Sequence, residues 1–488
     1  MNAPLRGAIV HYHLKRGGVT RVIESTLRGL GQGPGASVHS VVLTGEIPDG
    51  FPFKESARAV EGLHYSNSQA RTPDSASLLQ RMRDAARQAL GAEPDLWHIH
   101  NHSLGKNEAM PGVVSLLAEA GEALLLQIHD FAEDGRPQNH RVNQARTEHA
   151  GNLYPLGDRV HYALINARDH AVFTSHNLPG AQQHLLANPV EVDHSPGEPE
   201  STAAIRTALR AETLFLYPVR ALRRKNLGEF LLWSALARPG EVFATTLGPT
   251  NPDYQQTYRD WQSLAQSHQL PVHFGIGESM EHPFPSIMQS ADCILTTSIA
   301  EGFGLSFLEP WLYGKPVTGR DLPEITADFK QQGIDLGPLY PSLPVPDCWI
   351  EEDALHAAIG KHLDQAYADY GRALPADAID RAIAAIRPTE DTYDFGGLDE
   401  ARQGAVIERL ASNPLARQEL PCNNLTIPEP GEQARQIRDA YSLEAFSHGL
   451  QTLYRKIAGT SASAIDYLPP GDILDSFLMP ERFRLLRT

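Results

Sequence analysis

Residues 298–326, with the apolar run 293–297 leading into them, constrain this chain more than any other stretch. The apolar run 293–297 has the composition of a buried strand, and Gly302 and Gly304 make a Gly-x-Gly turn after it. A helix-forming run follows at 306–313, Gly314 reads as its stop, and Pro316-Val317 start a new extended segment. Strand, turn, helix, strand is a βαβ unit, and such units build sheets with helices on their faces. The glycines let backbone N–H groups approach a ligand at a helix N-terminus, where the dipole favours anions or hydroxyl oxygens. Glu301 in the turn and Glu309 on the helix stand eight positions apart. Taken alone, a Gly-x-Gly before a helix favours the plainer reading, a βαβ unit with two solvated acids.

At 488 residues the chain is long for one core, and two domains are expected. A strand at 7–11 leads into a loop with Lys15, Arg16, Gly17 and Gly18. An amphipathic helix at 19–30 follows, with Val22, Ile23, Thr26, Leu27 and Leu30 on one face. Further strands are expected at 37–44, 95–100 and 123–129, with a helix at 75–90. The strand at 123–129 ends in His129-Asp130, at the end where doubly wound sheets place their chemistry. The segment 131–170 reads as irregular and carries Arg136, Arg141, Arg146, Arg159 and Arg168. It is either a solvated surface or a lip over a cleft, in which Arg136 and Arg141 grip an anionic acceptor with their planar forks. A strand at 171–175 and a helix at 178–187 close this half, and 188–201, NPVEVDHSPGEPES, reads as a linker.

The second half opens with a strand at 213–219, then Arg220-Ala-Leu-Arg-Arg-Lys225-Asn226 and a helix at 227–237. Cations between a strand end and a helix N-terminus are placed to neutralise phosphates. Strands at 242–247, 272–275 and 293–297 alternate with helices at 254–267 and 285–290, which makes a second parallel sheet. Helices at 352–370, 376–386 and 398–412 form an insertion that caps the cleft, mediates dimerisation or pads the surface; the sequence leaves these open.

Glu301-Gly302-Phe303-Gly304-Leu305, Leu308-Glu309 and Gly314-Lys315-Pro316-Val317 together resemble the Glu-x7-Glu signature of retaining GT-B glycosyltransferases, in particular glycosyltransferase family four. The resemblance covers most of residues 7–330 and returns weakly at 441–457. It implies an α/β fold of GT-B type: two Rossmann-like doubly wound domains facing a cleft, with a helical insertion in the C-terminal part. The implied domains are 1–190 for the acceptor, a linker at 191–205, 206–337 for the nucleotide sugar, the insertion at 338–435, and a closing helix and tail at 436–488 that return toward the first domain. It further implies donor contacts from Gly17, Gly18, Arg220, Lys225, the backbone of Phe303, Gly304 and Leu305, and Glu309 at the ribose. His129 and Glu301 are implied at the reaction centre. The donor is then a nucleotide-diphosphate sugar, the acceptor a small soluble sugar, sugar phosphate or hydroxy acid, and no cofactor is required. Homodimerisation is compatible with this reading.

Other chemistry fits less well. A retaining glycosidase needs carboxyls about 5 Å apart, whereas eight residues of helix span about 12 Å. No Asp-x-Asp occurs, which weighs against a metal-dependent single-domain transferase. His11-x-His13, with His98, His100 and His102, suits a metal-dependent hydrolase on a (β/α)8 barrel. That barrel explains neither the linker nor Glu-x7-Glu. A GT-B epimerase or phosphorylase shares the fold but not the signature. A net charge of −17 argues against general affinity for nucleic acid or anionic lipid, though not against a local anion site. No apolar stretch approaches the ~20 residues of a membrane span, and the first residues do not read as a signal peptide. Cys293, Cys348 and Cys422 lack metal-ligand spacing, so a reducing cytoplasm is expected.

Overall fold

The computed structural model describes residues 4–31, 38–66, 72–145, 151–192, 197–421, 424–469 and 471–487. Arg146 and Cys422 lie outside them. The chain divides into two compact units. The first comprises Met1–Pro189, Ala368–Arg372 and Tyr441–Met479; the second comprises Val190–Tyr367, Ala373–Ala440 and Pro480–Thr488.

The first unit contains β1 (Leu5–Val10), β2 (Val38–Thr44), β3 (Ala57–Ala59), β4 (Leu96–His100), β5 (Leu124–Ile128), β6 (Pro155–Leu156), β7 (Val160–Leu164) and β8 (Gln183–Leu185). All but β6 form one parallel sheet in the order β3-β2-β1-β4-β5-β7-β8. Parallel strands are covered on both faces and read as continuous apolar runs, as LLLQI of β5 does. Successive β5 side chains serve opposite cores. Leu124 and Leu126 pack with Met82 and Leu117, whereas Leu125 packs with Val22, Leu450 and Tyr454. The helix Leu443–Gly459 thus covers one face of this sheet beside the helix Gly18–Leu30.

The second unit holds β9 (Thr213–Arg220), β10 (Glu241–Leu247), β11 (Val272–His273), β12 (Cys293–Thr296), β13 (Val317–Arg320) and β14 (Leu339–Tyr340), in the parallel order β11-β10-β9-β12-β13-β14. β15 (Pro344–Pro346) pairs antiparallel with β16 (Thr392–Asp394). In the first unit, β6 pairs antiparallel with β17 (Asp466–Tyr467). Both large sheets reverse strand order beside their first strand, between β1 and β4 and between β9 and β12. At such switch points the loops at the strands' carboxyl ends diverge and leave a crevice.

Three expectations are corrected. The segment 131–170 is not irregular, because it contains the helix Pro137–Gln144 and the fully buried strand β7. Residues 171–175 are the end of a helix, Ala167–Ser175: the Asn166 side chain accepts from Asp169 N and caps it, so the β-branched content of AVFTS does not decide. Residues 178–187 are a 3-10 turn and β8, not a helix.

The remainder differs in placement. The helix Pro199–Leu209 occupies the second half of the expected linker. Residues 480–488 belong with the second unit. The expected insertion is no surface padding: Leu343, Val345, Tyr393 and Phe395 are fully buried, and the helix Glu400–Ser412 packs on the helix Leu227–Ala235. Asp394 also completes a buried cluster with Glu229 and Arg320. Arg320 Nη2 lies 2.6 Å from Glu229 and 2.8 Å from Asp394.

Candidate functional site

In the second unit the switch point gathers the loop after β9 and the turn after β12. Glu301 accepts from Lys225 Nζ at one carboxylate oxygen and from Arg224 Nη1 at the other, the latter at 2.9 Å. Arg224 Nη1 also donates to the Ala300 carbonyl at 2.7 Å. Burial alone would raise the Glu301 carboxyl, but the Lys225 ammonium and the Arg224 guanidinium outweigh it and hold it down at about 2. Burial pulls the Lys225 ammonium down while Glu301 opposes that. The carboxylate is charged at any physiological pH.

The loop is fastened to the strand beside it. Thr297 Oγ1 donates to the carbonyls of Lys225 and Asn226 at 3.0 and 3.1 Å. Asn226 has a left-handed backbone, φ 51°, and its side chain donates to Glu229 at 2.8 Å and accepts from Gln403 at 2.9 Å. Arg223 forks onto Glu400 at 2.6 and 2.8 Å. Residues of the 338–435 segment therefore set the shape of this loop. Arg220, at the end of β9, differs from these cations. It donates to the Gly248 carbonyl at 3.2 Å and has no carboxylate partner among the described residues.

Beyond Glu301, Gly304 has φ 89°, and a Cβ there would meet Ile325 Cγ2 at 2.7 Å. Only glycine fits, and the helix Leu305–Leu312 starts directly after it. Phe303 is buried, Leu305 half-buried, and Glu309 stands half-buried on that helix. The Ser306 hydroxyl, in the helix's first turn, is buried and has no hydrogen-bond partner among the described residues. A buried orphan hydroxyl is uncommon in folded proteins.

In the first unit the loop after β1 carries Gly17 and Gly18. Gly18 opens the helix Gly18–Leu30, whose N-cap Gly17 supplies no side-chain bond. A Cβ at Gly18 would meet nothing within 4 Å, and one at Gly17 only the Lys15 carbonyl at 3.8 Å. The first amides of a helix lack intrahelical partners, and with no side chains at Gly17 and Gly18 to crowd them this helix start suits an anion. His129 follows β5. Its backbone N–H donates to the Asn101 side chain at 2.7 Å, and its Nε2 lies 3.0 Å from His100 Nδ1. Burial, reinforced by His98, pushes His129 down to about 3, so it is a neutral imidazole. His98 bridges Gln127 Oε1 at 2.9 Å and Tyr454 OH at 2.8 Å, which fixes Nε2–H as donor and Nδ1 as acceptor.

Arg136 pairs with Asp130 at 2.5 Å and Arg141 pairs with Asp369. Sequence reasoning gave no role to Arg223 or Arg224, and missed Ser306 and the His98–His100 support of His129. The ion pairs of Arg223 and Arg224 depend on residues far apart in the chain. The barrel hydrolase falls with the fold, since both sheets are open. His11 and His13 lie edge to face, 5.4 Å between ring centroids. Among the described residues no group of three or more His, Cys, Asp or Glu is arranged to hold a metal ion.

No protein-family model matches the chain. Mannosylglucosyl-3-phosphoglycerate synthase of Petrotoga mobilis is 24% identical over 348 residues, an alignment spanning 66% of this chain and 66% of that relative's length. Among solved structures, sucrose-phosphate synthase from Thermosynechococcus elongatus superposes with a TM-score of 0.52 at 14% identity, covering 93% of this chain and 99% of its own. HepE of Anabaena, in complex with UDP and glucose, gives 0.52 at 13% identity over 92% and 99%. WaaG, a glycosyltransferase involved in lipopolysaccharide biosynthesis, gives 0.50 at 13% identity over 93% and 100%. At these identities the likeness is one of fold, and the fold is α/β with parallel sheets, of the type found in GT-B glycosyltransferases.

Proposed function

We propose that the chain is a retaining glycosyltransferase, with family-four character, that moves a hexose from a nucleotide-diphosphate sugar to a hydroxyl of a small phosphorylated acceptor. The observation that carries this reading is the Glu301–Lys225–Arg224 cluster at the switch point of the second sheet, beside an Arg220 with no carboxylate partner among the described residues. Catalysis of this kind stabilises an oxocarbenium-like centre while a diphosphate leaves, and preorganised cations and dipoles are what the leaving charge needs. Arg220, Lys225 and the Gly17-Gly18 amides take the diphosphate without a metal ion. Glu309 takes the ribose, and Glu301 the transferred sugar, with the backbone of Phe303, Gly304 and Leu305 on its hydroxyls. Neutral His129 serves as a hydrogen-bonding partner beside the sugar rather than as an acid.

In the proposed step the bond from C1 to the leaving phosphate oxygen breaks, and the acceptor oxygen bonds C1 on the same face. The departing phosphate takes the acceptor's proton. The name of the Petrotoga relative supports a phosphorylated acceptor. Arg136 and Arg141 serve it only where its anion displaces Asp130 and Asp369. The thiols of Cys293 and Cys348, unpaired among the described residues, support a cytoplasmic setting. No helix among the described residues is long and apolar enough to cross a membrane.

A thermal-shift panel of UDP, GDP, ADP and their sugar conjugates tests donor binding. One nucleoside diphosphate is expected to raise the melting temperature equally with and without EDTA. At a hundredfold excess over Kd, binding stabilises by about 2.7 kcal/mol. Arg220→Ala is expected to abolish that rise while leaving the ligand-free melting temperature near that of the wild type. No rise with any nucleotide contradicts the donor class.

A further inference from the structure

A cavity in the second unit remains unused by the proposed reaction. It encloses about 400 Å3 at the carboxyl ends of the strands β12 to β14, far more than the ~30 Å3 share of one water. One wall is made by 320–324 after β13, another by Arg387 and Asp394, and a third by the chain's last residues, with Arg482, Arg484 and Arg487. Those last residues are anchored: Leu485 and Leu486 are buried, and the turn Leu485–Arg487 packs against the turn Arg223–Lys225.

The carboxylates on the wall are already matched. Asp394 pairs with Arg320 at 2.8 Å, Glu324 with Arg482 at 3.1 Å, Glu481 with Arg381 at 2.6 Å, and Asp321 with Lys330 at 2.8 Å. Arg387 is matched too, by Asp347 at 3.3 Å and Glu352 at 3.1 Å. Arg484 stands apart. Its Nη1 donates to the carbonyls of Glu481 and Phe483 at 2.9 and 2.6 Å. No carboxylate lies within ion-pair distance among the described residues, and neither Nε nor Nη2 has a hydrogen-bond partner among them. Burial lowers its pKa from the ordinary value; Asp394 and Glu324 oppose this, and Arg320 and Arg487 add to it. Arg484 is half-buried, and its remaining donors are not buried, so its planar fork is open to match two oxygens of a tetrahedral oxyanion.

We propose that this cavity binds a phosphate monoester, with Arg484 as the side chain that grips its oxygens. The phosphate belongs either to the acceptor or to a separate phosphorylated effector, and the chemistry of the pocket is the same for both. The site is separate from the cluster around Glu301, and its occupancy does not require a nucleotide.

Calorimetric titration of the full-length protein with inorganic phosphate, at constant ionic strength and without nucleotide, tests the pocket itself. The wild type is expected to bind one phosphate, Arg484→Gln to weaken it at least tenfold, and Arg484→Lys to restore part of the loss. Arg238→Gln, an exposed arginine outside the cavity wall, is expected to leave it unchanged, which separates the pocket from general surface charge. No phosphate binding by the wild type, or equal binding by Arg484→Gln, overturns the proposal whatever the fate of the nucleotide-sugar reading. Kinetics then identify the source. A KM raised by Arg484→Gln for a phosphorylated acceptor, but not for its dephosphorylated analogue, assigns the phosphate to the acceptor. A rate with the dephosphorylated analogue that responds to an added sugar phosphate in the wild type only assigns it to an effector. Neither response reduces the cavity to an idle anion trap and overturns the proposal.

Discussion

Lys225→Met is expected to lower kcat/KM for sugar transfer by about 100- to 1,000-fold, the range seen when one preorganised donor is removed from a transition-state site. Two effects combine. The leaving diphosphate loses a cation, and among the described residues Glu301 is left with Arg224 as its only ion-pair partner. Burial already pushes the Glu301 carboxyl up, and in the wild type the two cations override it to about 2. With Lys225 gone that balance moves, so the carboxylate protonates at higher pH. The acid limb of kcat/KM against pH should therefore move upward in Lys225→Met and stay in place in Lys225→Arg. Breaking a buried pair also destabilises, so the comparison is made well below the variant's melting temperature. Full activity in Lys225→Met would sink the assignment of this cluster to the reaction.

Acidification is expected to weaken the first unit through its buried histidines. His11 and His129 are pushed down to about 3, and His98 and His102 to about 4, in each case chiefly by burial. The unfolded chain binds a proton on each near pH 6.5, whereas the folded chain does not until pH has fallen much further. The stability these groups contribute is thus fully present above pH 6.5 and is lost as pH falls toward 3 to 4. For one group moved from 6.5 to about 4, the loss between pH 7 and pH 5 is roughly 2 kcal/mol. Glu133 acts in the opposite sense, because burial raises its carboxyl to about 7, and it offsets about one histidine. The decisive comparison is denaturant unfolding of the wild type and His102→Leu at both pH values. The stability gap between them should shift by roughly 2 kcal/mol in favour of the variant at pH 5. An unchanged gap would show that His102 is not held neutral by burial.

Local chemistry made the framework readable. The glycines at 302 and 304, the apolar run before them and the basic loop at 220–226 are contiguous signals, and each landed at a sheet switch point. Gly304 was legible because only glycine tolerates its φ of 89°. What failed was weak or remote. The strand β7, VHYAL, is five residues with a polar histidine in it, and β8 has three, so neither shows a clear period. AVFTS was misread because the capping Asn166 starts a helix before the β-branched residues are reached. The roles of Arg223 and Arg224 were hidden because their partners stand 177 and 77 positions away. The 338–435 segment looked like an addition because the bonds that join it to the site, Gln403 to Asn226 and Asp394 to Arg320, span 177 and 74 positions. No local pattern encodes those.

The most direct test of the glycosyltransferase reading is transfer itself. The protein is incubated with the nucleotide sugar whose diphosphate stabilises it and with a panel of phosphorylated and neutral hydroxyl acceptors. Released nucleoside diphosphate and the anomeric configuration of the product are followed by NMR. The account predicts one new glycoside per nucleoside diphosphate released, with the donor's anomeric configuration kept. Inverted configuration would contradict the retaining mechanism. Nucleotide bound but no glycoside formed with any acceptor, in protein whose Glu301 and Lys225 are intact, would contradict the reading as a whole.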